Sequence, residues 1–298
     1  MSPFVKEQVE SMRETYTDMT IDVRVIDGER PRWGYLREIF LLPIAVKKGK
    51  YDIVHAHFGL TLISTLFIRV PVIITFHGSD LLVSPTKYVS RFLAPTASKV
   101  IVVAQSLKET LGYGEMIPCG IDTKKFFLPS SYEKKISPKI PGKLKILFPS
   151  DPARIIKDYD LFKAACLDLE KRGNEVEEFH LVNIERENVQ ELYWECDIMI
   201  LTSLSEGSPT VIKEAIAAKL PFVSVDVGDV KEWTALIEFG VVVSDRKSKS
   251  IADAVIRLHN RTKSRALLDN SKCLEIIDLA RISQRIRQQY DQILDISA

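Results

Sequence analysis

Two glutamates, Glu206 and Glu214, are separated by seven residues in a stretch whose pattern places them beside a helix start. The apolar run Asp197–Thr202 has the length of a buried strand, and the polar segment after it has the composition of a loop. Pro209 and the apolar residues that follow at helical spacing predict a helix, with Glu206 on the loop and Glu214 about one and a half turns inside. Such carboxylates can accept hydrogen bonds from sugar hydroxyls. Spacing alone leaves another interpretation equally open, in which Glu206 is a first-turn acid favoured by the helix dipole and Glu214 is a solvated helix residue.

The start of this predicted helix can bind an anion. The first turn of a helix leaves backbone N–H groups unpaired and carries the positive end of the helix dipole, which suits a phosphate. Gly207 and Ser208 precede it and have small side chains, so an anion can approach the backbone closely. The loop and the helix start together indicate a phosphate subsite.

Two cations, Arg154 and Lys157, follow the predicted strand Lys145–Phe148. A diphosphate leaving group needs cations nearby because negative charge builds on the leaving oxygen in the transition state. Each charge-assisted hydrogen bond contributes about 1.5–3 kcal/mol. An ordinary solvated loop is the other interpretation of this pair.

Three histidines lie at the ends of predicted strands of the first half. His77 comes after Val72–Phe76 and can either bond a sugar hydroxyl or simply end the strand. His55 and His57 lie two residues apart, so they face the same way on a strand, but no third ligand is evident and no metal site is predicted. The chain has no Gly-rich dinucleotide motif, no phosphate-binding loop of the Walker type and no nucleophile elbow.

Composition is that of a globular protein with room for two domains: 298 residues, 46% hydrophobic, with a formal net charge of +1. This charge gives no case for nucleic-acid binding. Divided at Pro141, the first half has 19 basic and 14 acidic residues, a net +5, and the remainder has 22 and 26, a net −4. The mildly basic first half suits an anionic lipid or a lipid-diphosphate acceptor.

The four cysteines are far apart and form no paired motif, which indicates reduced thiols in a cytosolic protein. The N-terminal residues have no apolar core of a signal peptide. The longest apolar tract, Phe58–Ile74, is interrupted by Arg69 and Pro71, so we predict no membrane span, although a peripheral surface contact stays open.

Strand and helix patterns alternate along the chain, which predicts an α/β fold of two tandem doubly wound domains with parallel sheets. The segment Ser137–Lys143 interrupts the alternation with two prolines and a glycine and is the predicted linker. The predicted domains are therefore 1–141 and 142–275, with a closing helix in 276–298 that packs back toward the first domain. A ligand is expected at the carboxyl ends of the strands.

The predicted strands are Ile21–Ile26, Tyr51–Ala56, Val72–Phe76, Lys99–Ala104, Lys145–Phe148, Glu178–Asn183, Asp197–Thr202, Phe222–Val225 and Gly240–Val243. The predicted helices include 3–14, Tyr35–Lys48, Leu60–Ile68, Ser90–Ala97, Leu107–Leu111 with Ser106 as its cap, Asp160–Lys171, Val189–Trp194, Val230–Ile237, Ser250–Asn260, Ser264–Leu268 and Ile282–Leu294.

These motifs match a known family. The stretches DIVHAHFG, ITFHGSD, IPCGIDTKKF, ILFPSDPARIIKDYDLF and DIMILTSLSEGSPTVIKEAIAAKLPFVSVDVGDVKE resemble the retaining glycosyltransferases of family 4. The last is the most specific, since it joins the paired glutamates to a strand, a loop and a helix. The resemblance spans almost the whole chain and implies the GT-B architecture, in which two Rossmann-like domains face each other across a cleft.

The resemblance also implies roles for individual residues. Glu206 would lie at the donor sugar and Glu214 would bond the nucleotide ribose. Arg154 and Lys157 would bind the donor diphosphate, and His77 would face the donor sugar. The segment Gly207, Ser208, Pro209 and Thr210 would complete the substrate site, with Pro209 having no N–H to donate.

Two features depart from the family pattern. Ala153 stands where the family usually has a glycine before the arginine. The family also begins with a strand and a Gly-rich loop ahead of the segment that here reads SPFVKEQVE. Without that strand, backbone groups of the sheet would lack partners. An in-frame strand and loop encoded upstream of Met1 would favour an active enzyme, and their absence would favour an inactive one.

The expected function is metal-independent transfer of a sugar, with retention, from a UDP-, GDP- or ADP-sugar to a glycan or lipid-linked acceptor. The expected setting is surface polysaccharide or glycolipid biosynthesis in the cytoplasm, with a peripheral contact at the inner face of the membrane. No cofactor, metal or nucleic acid is expected. Two alternatives are an inactive truncated homologue that binds nucleotide or a partner, and a nucleotide-sugar epimerase of the same architecture.

Overall fold

The computed structural model describes residues 1–26, 31–83, 85–132, 143–262 and 264–297. The chain forms two compact units, of which the first comprises Met1–Gly120 with Leu279–Ala298 and the second comprises Ile121–Asp278. The predicted linker Ser137–Lys143 lies, except for Lys143, outside the described residues. Each unit has its own parallel sheet and its own apolar core, which confirms the predicted α/β class.

The first unit contains a parallel sheet of four strands in the order β1-β2-β3-β4. The strands are β1 (Val54–His57), β2 (Val72–Phe76), β3 (Lys99–Val102) and β4 (Glu115–Met116). All five residues of β2 are buried, as expected for a central parallel strand covered on both faces. Strand β4 was not predicted, because two residues are too few to show a periodic pattern.

Helices flank this sheet. They are α1 (Pro3–Thr15), α2 (Pro31–Gly49), α3 (Leu62–Thr65), α4 (Ser79–Leu82), α5 (Thr86–Leu93), α6 (Gln105–Leu111) and, from the end of the chain, the helix Leu279–Ser297. The chain-terminal helix packs against α1, where Ser283 Oγ lies 3.1 Å from Ser11 Oγ. Ile282 and Ile286 join Met12 and Ile73 in one buried cluster.

The predicted strand Ile21–Ile26 is wrong, because this segment has no regular secondary structure. Its alternating apolar residues do not share a buried face. Ile21 packs against an apolar cluster, whereas Val23 and Val25 are exposed. The carbonyl of Ile21 accepts a hydrogen bond from Arg13 Nε at 3.1 Å, and no strand among the described residues pairs with the segment.

The second unit contains a parallel sheet of five strands in the order β6-β5-β7-β8-β9. The strands are β5 (Leu144–Phe148), β6 (Val176–His180), β7 (Ile198–Leu201), β8 (Phe222–Val225) and β9 (Gly240–Val243). The strand order reverses between β5 and β7, which pair directly. Their carboxyl ends therefore form a topological switch point, where doubly wound sheets bind ligands.

The helices of the second unit are α7 (Thr123–Phe126), α8 (Tyr159–Lys171), α9 (Val189–Glu195), α10 (Thr210–Ala217), α11 (Val230–Thr234), α12 (Ser248–Arg261) and α13 (Ser271–Ile277), and the chain-terminal helix of the first unit is then α14. Short 3₁₀ turns cover Gly59–Thr61, Ala94–Thr96, Ile155–Lys157 and Arg265–Leu267.

Several predicted helices differ from the structure. The predicted helix Ser90–Ala97 is shifted, since α5 covers Thr86–Leu93 and a 3₁₀ turn follows over Ala94–Thr96. The predicted helix Leu60–Ile68 is a 3₁₀ turn followed by the single-turn α3, and the predicted helix Ser264–Leu268 is a 3₁₀ turn. Helix α6 begins at Gln105 after Ala104, so Ser106 lies inside its first turn and is not its cap. Apolar spacing over so few residues cannot distinguish these states.

Candidate functional site

The loops that follow β5 and β7 are joined by hydrogen bonds at the switch point of the second sheet. Thr202 Oγ1 donates to the carbonyl oxygens of Lys157 and Asp158, each at 2.9 Å. The amide of Leu204 donates to the Ile156 carbonyl at 2.8 Å. Since β5 and β7 are neighbours, the two loops leave the sheet side by side and these bonds fix one against the other.

Lys157 and Glu206 form an ion pair between these two loops, through Lys157 Nζ and Glu206 Oε1. Their side chains are only 12% and 15% exposed. Ser203 Oγ lies 2.7 Å from the same Oε1, so Glu206 accepts from a hydroxyl as well as an ammonium group. The structure thus brings together two residues that the sequence placed 49 positions apart.

Arg246, which sequence reasoning missed, fastens the same loops. Its guanidinium donates to the carbonyls of Ser203 at 2.9 Å and Thr202 at 2.6 Å, and to Asp158 Oδ2 at 2.6 Å. Arg246 follows β9, so its position after a strand of the sheet was the available signal. It places a third cation close to the Lys157 and Glu206 pair.

The predicted anion-binding segment lies directly before α10. Helix α10 begins at Thr210, and Pro209 precedes it as the N-cap residue. Gly207, Ser208 and Pro209 are buried, whereas Thr210 is half-buried.

Gly228 packs against this segment with a positive φ of 58°. A Cβ at Gly228 would lie 2.7 Å from the carbonyl oxygen of Gly207. This close approach requires glycine and fixes the backbone of the segment from one side.

A buried polar network holds Ser208. Ser208 Oγ lies 2.5 Å from Asp229 Oδ2 and 2.6 Å from Lys213 Nζ. Lys213 is fully buried and its ammonium group lies 5.6 Å from the centroid of the Trp233 ring. Sequence reasoning missed Lys213 and Asp229, because a lysine in a helix ordinarily faces solvent.

Glu214 is buried rather than solvated, so that interpretation of its helical position is wrong. Its side chain is 2% exposed. Tyr193 OH donates to Glu214 Oε2 at 2.6 Å, and Arg186 Nη2 lies 2.7 Å from Oε1. Burial, together with the neighbouring Glu214 carboxylate, raises the pKa of the Tyr193 hydroxyl well above its usual value. Neither partner could be found from the sequence, because each lies on a different element.

Arg154 lies just before the 3₁₀ turn Ile155–Lys157, and its side chain is exposed. Its backbone carbonyl accepts from the Lys157 amide at 2.9 Å. The structure therefore places Arg154 on the same loop as Lys157 with its guanidinium in solvent, where it can reach an anion.

His77 lies in the first unit, at the end of β2, in an aromatic environment. Its Nε2 is 3.1 Å from His57 Nδ1, and its Nδ1 is 3.7 Å from Cys119 Sγ. Its ring contacts those of Phe4 and Phe58, with centroids 4.8 and 4.7 Å away.

Asp80 fixes the backbone around His77. Its buried carboxylate accepts hydrogen bonds from the amides of Gly59 at 3.1 Å, His77 at 3.1 Å and Gly78 at 2.8 Å. These bonds tie the loop after β1 to the loop after β2. Burial raises the pKa of the Asp80 carboxyl, against the opposing effect of these hydrogen bonds.

His55 and His57 stack on each other, with ring centroids 4.4 Å apart. Burial lowers the pKa of His57 to about 4 and that of His55 well below its usual value. His55 also bonds Tyr290 OH and Thr75 Oγ1, each at 2.7 Å. Among the residues that the structure describes, no group of three or more His, Cys, Asp or Glu side chains is arranged to hold a metal ion.

Within the same described ranges, no helix combines the length and the hydrophobicity that crossing a bilayer requires.

Two family models match this chain, one in each half. Residues 9–125 match the model described as Glycosyltransferase Family 4, and residues 155–272 match the model described as Glycosyl transferases group 1. The second match includes every candidate residue of the second unit except Arg154.

A curated relative is TuaC of Bacillus subtilis, named as a teichuronic acid biosynthesis glycosyltransferase. It is 24% identical over 237 residues, which is 69% of this chain and 61% of TuaC. The match thus spans less than two thirds of the relative's length.

Solved structures share the fold. Sucrose-phosphate synthase from Thermosynechococcus elongatus is similar with a TM-score of 0.74 at 17% identity, over 91% of this chain and 81% of that protein. Anabaena HepE, solved with UDP and glucose, is similar with a TM-score of 0.69 at 17% identity, over 95% of each chain.

Proposed function

Because the chain belongs to the glycosyltransferases that these two family models describe, we propose that it transfers a sugar from a nucleoside diphosphate sugar to a glycan or lipid-linked acceptor. The transfer retains the anomeric configuration and needs no metal ion. The observation that carries the proposal is the Lys157 and Glu206 ion pair, held between the loops after β5 and β7 and beside the segment that leads into α10.

The proposed roles follow from charge and position. Lys157 and Arg154 bind the donor diphosphate and stabilise the negative charge that grows on its leaving oxygen. The backbone around Gly207 and Ser208, with the first turn of α10 at Thr210, adds the positive end of a helix dipole. These groups supply the charge that a divalent cation supplies in other diphosphate sites.

Glu206 accepts hydrogen bonds from hydroxyls of the donor sugar, and Glu214 bonds the nucleotide ribose. The bonds from Tyr193 and Arg186 hold the Glu214 carboxylate in one orientation. A carboxylate has about four lone-pair sites, so Glu214 can accept a further bond. For His77 we propose the role that the family resemblance implies, a contact with the donor sugar.

Retention is explained by front-face attack. The acceptor oxygen bonds to the anomeric carbon on the face from which the diphosphate oxygen departs, and the acceptor proton passes to that departing oxygen. No side-chain nucleophile is required. Lys157 and Arg154 act by making the diphosphate a better leaving group.

The donor nucleotide is UDP, GDP or ADP, and the HepE complexes support UDP as the first to test. The name of the relative TuaC refers to teichuronic acid biosynthesis, which supports a role in the synthesis of a surface polysaccharide or glycolipid. We place that role in the cytoplasm, with a peripheral contact at the inner face of the membrane. The basic first half of the chain suits such a contact.

The test measures sugar release and transfer from a panel of UDP-, GDP- and ADP-sugars, with and without a chelator, and identifies the anomer by NMR. Glu206→Ala and Arg154→Ala should each lower the rate about 10²-fold. Glu177→Ala, which removes an exposed carboxylate from β6, is the matched control and should leave the rate unchanged.

Other outcomes of this test favour the alternatives. Interconversion of the donor sugar without acceptor indicates an epimerase. Calorimetric binding of a nucleoside diphosphate without turnover of any donor indicates an inactive homologue. Activity that withstands both substitutions would refute the site assignment.

A further inference from the structure

One face of the first unit exposes large apolar side chains on neighbouring helices. Along α2, an apolar residue recurs every fourth position on the exposed side, which places these residues in one row. Helix α5 exposes a second group. The side chains are Leu36, Phe40 and Ile44 on α2, and Tyr88, Val89 and Phe92 on α5. Phe40 is 69% exposed and Phe92 is 81% exposed. Single exposed apolar residues are ordinary, whereas a group on adjoining elements marks an interaction surface.

The two helices are neighbours through α3. Helix α3 packs against both α2 and α5. Ser64 Oγ of α3 lies 3.4 Å from the carbonyl oxygen of Tyr35 in α2. The residues just after α3, Leu66 and Phe67, are also exposed. We call the surface formed by the exposed side chains of α2, α5 and residues 66–69 the apolar face.

Cations lie on the same elements as the apolar side chains. They are Arg37, Lys47 and Lys48 on α2, Arg69 after α3, and Lys87 and Arg91 on α5. Lys87 Nζ lies 5.1 Å from the centroid of the Tyr88 ring. Long basic side chains of this kind can lay their stems along apolar surface and present the charge to phosphates.

The acidic side chains of these segments are buried. Residues 34–50 and 59–97 contain two acids, Glu38 and Asp80. Glu38 is 9% exposed and is paired with Arg24, and Asp80 is buried beneath three backbone amides. The exposed Asp52 lies outside both segments, on the approach to β1. The face therefore presents apolar and positive groups without an exposed negative one from these segments.

We propose that the apolar face docks on a bilayer of anionic phospholipids. Aromatic and aliphatic side chains enter the boundary between headgroups and acyl chains, and the cations of the same elements attract the lipid phosphates. A second copy of this chain is disfavoured as the occupant, because a symmetric contact would bring two basic surfaces together. This proposal assigns a surface to the membrane contact proposed above, and its biological role rests on that proposed function. The binding itself can be tested separately, because vesicle binding needs no donor and no turnover.

The experiment is co-sedimentation of the full chain with vesicles of phosphatidylcholine, either pure or containing about 30 mol per cent phosphatidylglycerol. The wild-type chain should bind the anionic vesicles and lose binding in high salt or on pure phosphatidylcholine. Phe92→Ser and Phe40→Ser should each weaken binding about tenfold. Arg91→Gln should weaken it about fivefold.

Leu267→Ser is the matched control. Leu267 is 85% exposed and lies in the second unit, so its loss removes a comparable apolar side chain from elsewhere. Binding equal to that of wild type is expected.

Three results would overturn the proposal. They are no binding of the wild-type chain to anionic vesicles at low salt, equal binding to neutral vesicles, and losses for Phe92→Ser no larger than for Leu267→Ser. Sedimentation equilibrium without lipid adds a fourth, since a dimer that Phe92→Ser dissociates would assign the face to a second copy. Sugar release in solution, measured separately, reports on the transferase proposal alone.

Discussion

At the scale of single residues, the proposed donor site contains an ion pair, Lys157 and Glu206, that the fold holds almost out of solvent. Lys157 and Glu206 neutralise each other across two loops, and Arg246 fixes the backbone on which both loops depend. A diphosphate is negatively charged, so it would attract the Lys157 ammonium group more strongly than a neutral sugar would. In the proposed site, Lys157 would then bind the phosphate and Glu206 would accept hydrogen bonds from sugar hydroxyls beside it.

Lys213 should stabilise the segment before α10 through its buried contact with Ser208. Lys213→Met leaves Asp229 and Ser208 without the buried ammonium group and should lower the free energy of unfolding by about 3 kcal/mol or more. Urea denaturation measures the change. The control, Lys231→Met, removes an exposed lysine that pairs with Asp226 and should change stability by less than about 1 kcal/mol.

A double substitution separates charge from packing at this site. Lys213→Met combined with Asp229→Asn should recover part of the lost stability, because no unpaired buried charge remains. Equal instability of the double and single variants would contradict the electrostatic explanation.

His57 should make the first unit less stable in mild acid. The pKa of His57 is about 4 in the folded protein, whereas the ordinary value of 6.5 applies in the unfolded chain. The unfolded chain therefore binds the proton more readily. Stability is intact above pH 6.5 and is lost as the pH falls toward 4, by about 2 kcal/mol at pH 5.

Urea denaturation at pH 7 and pH 5 measures this loss, and His57→Gln should reduce the difference between the two. His55, whose pKa is also lowered by burial, should leave a remainder in that variant. A variant with the wild-type pH dependence would show that His57 does not control it.

At the scale of elements, one buried arginine positions the helices that carry the Glu214 site. Arg265 donates to the carbonyls of Tyr193, Trp194 and Cys196 at the end of α9, and to those of Ala218 and Lys219 after α10. It is 5% exposed. Tyr193 and Glu214 lie on these two helices, so the orientation of their hydrogen bond depends on a residue outside both.

Arg265→Met should therefore lower the free energy of unfolding by about 3 kcal/mol or more, because several buried carbonyls lose their donors. Arg257→Met, at an exposed position of α12, is the matched control and should change stability by less than about 0.5 kcal/mol. Thermal and urea denaturation measure both. Equal effects of the two substitutions would contradict this role for Arg265.

The elements also show what a sequence pattern can predict. Strands β2, β8 and β9 were predicted to the residue, because each is a short apolar run between clear breaks. Strands β2 and β8 are also fully buried, as such runs predict. The wrong strand Ile21–Ile26 shows the limit, since its apolar residues alternate although Val23 and Val25 are exposed and no described strand pairs with the segment.

The sequence could predict candidate site residues only where they lie in one continuous segment or directly after a predicted strand. Glu206 and the helix start of α10 share one segment, and Lys157 was found from the strand before it. Tyr193 and Asp229 were missed because each reaches the site from a separate element, through contacts that no spacing reveals. Arg246 was missed although it follows a strand of the same sheet, because nothing in the sequence shows which loop carbonyls it contacts. The packing of Glu214 was missed for the same reason.

At the scale of the whole molecule, the two units divide the proposed work. The second unit contains Lys157, Glu206 and Glu214, and the first contains His77 and the apolar face. Residues 121–278 form that second unit in one continuous stretch, with their own core and sheet.

A fragment of residues 121–278 should fold alone and bind a nucleoside diphosphate, but should not transfer sugar. Circular dichroism and calorimetry with UDP, GDP and ADP check the first two expectations, and a transfer assay checks the third. Lys157→Met in the same fragment is the control and should weaken binding about tenfold or more. A folded fragment without nucleotide affinity would contradict this division.

The central claim is that Lys157 and Glu206 form the donor end of a transferase site. Its most direct test is the initial rate of nucleoside diphosphate release from a nucleotide sugar by wild-type protein, Glu206→Gln and Lys157→Met, with calorimetric affinity for the diphosphate measured on the same samples. We expect both variants to lose about 10²-fold in rate, with the affinity reduced in Lys157→Met and retained in Glu206→Gln. Wild-type rates in both variants, or an affinity lost only with Glu206→Gln, would contradict the claim.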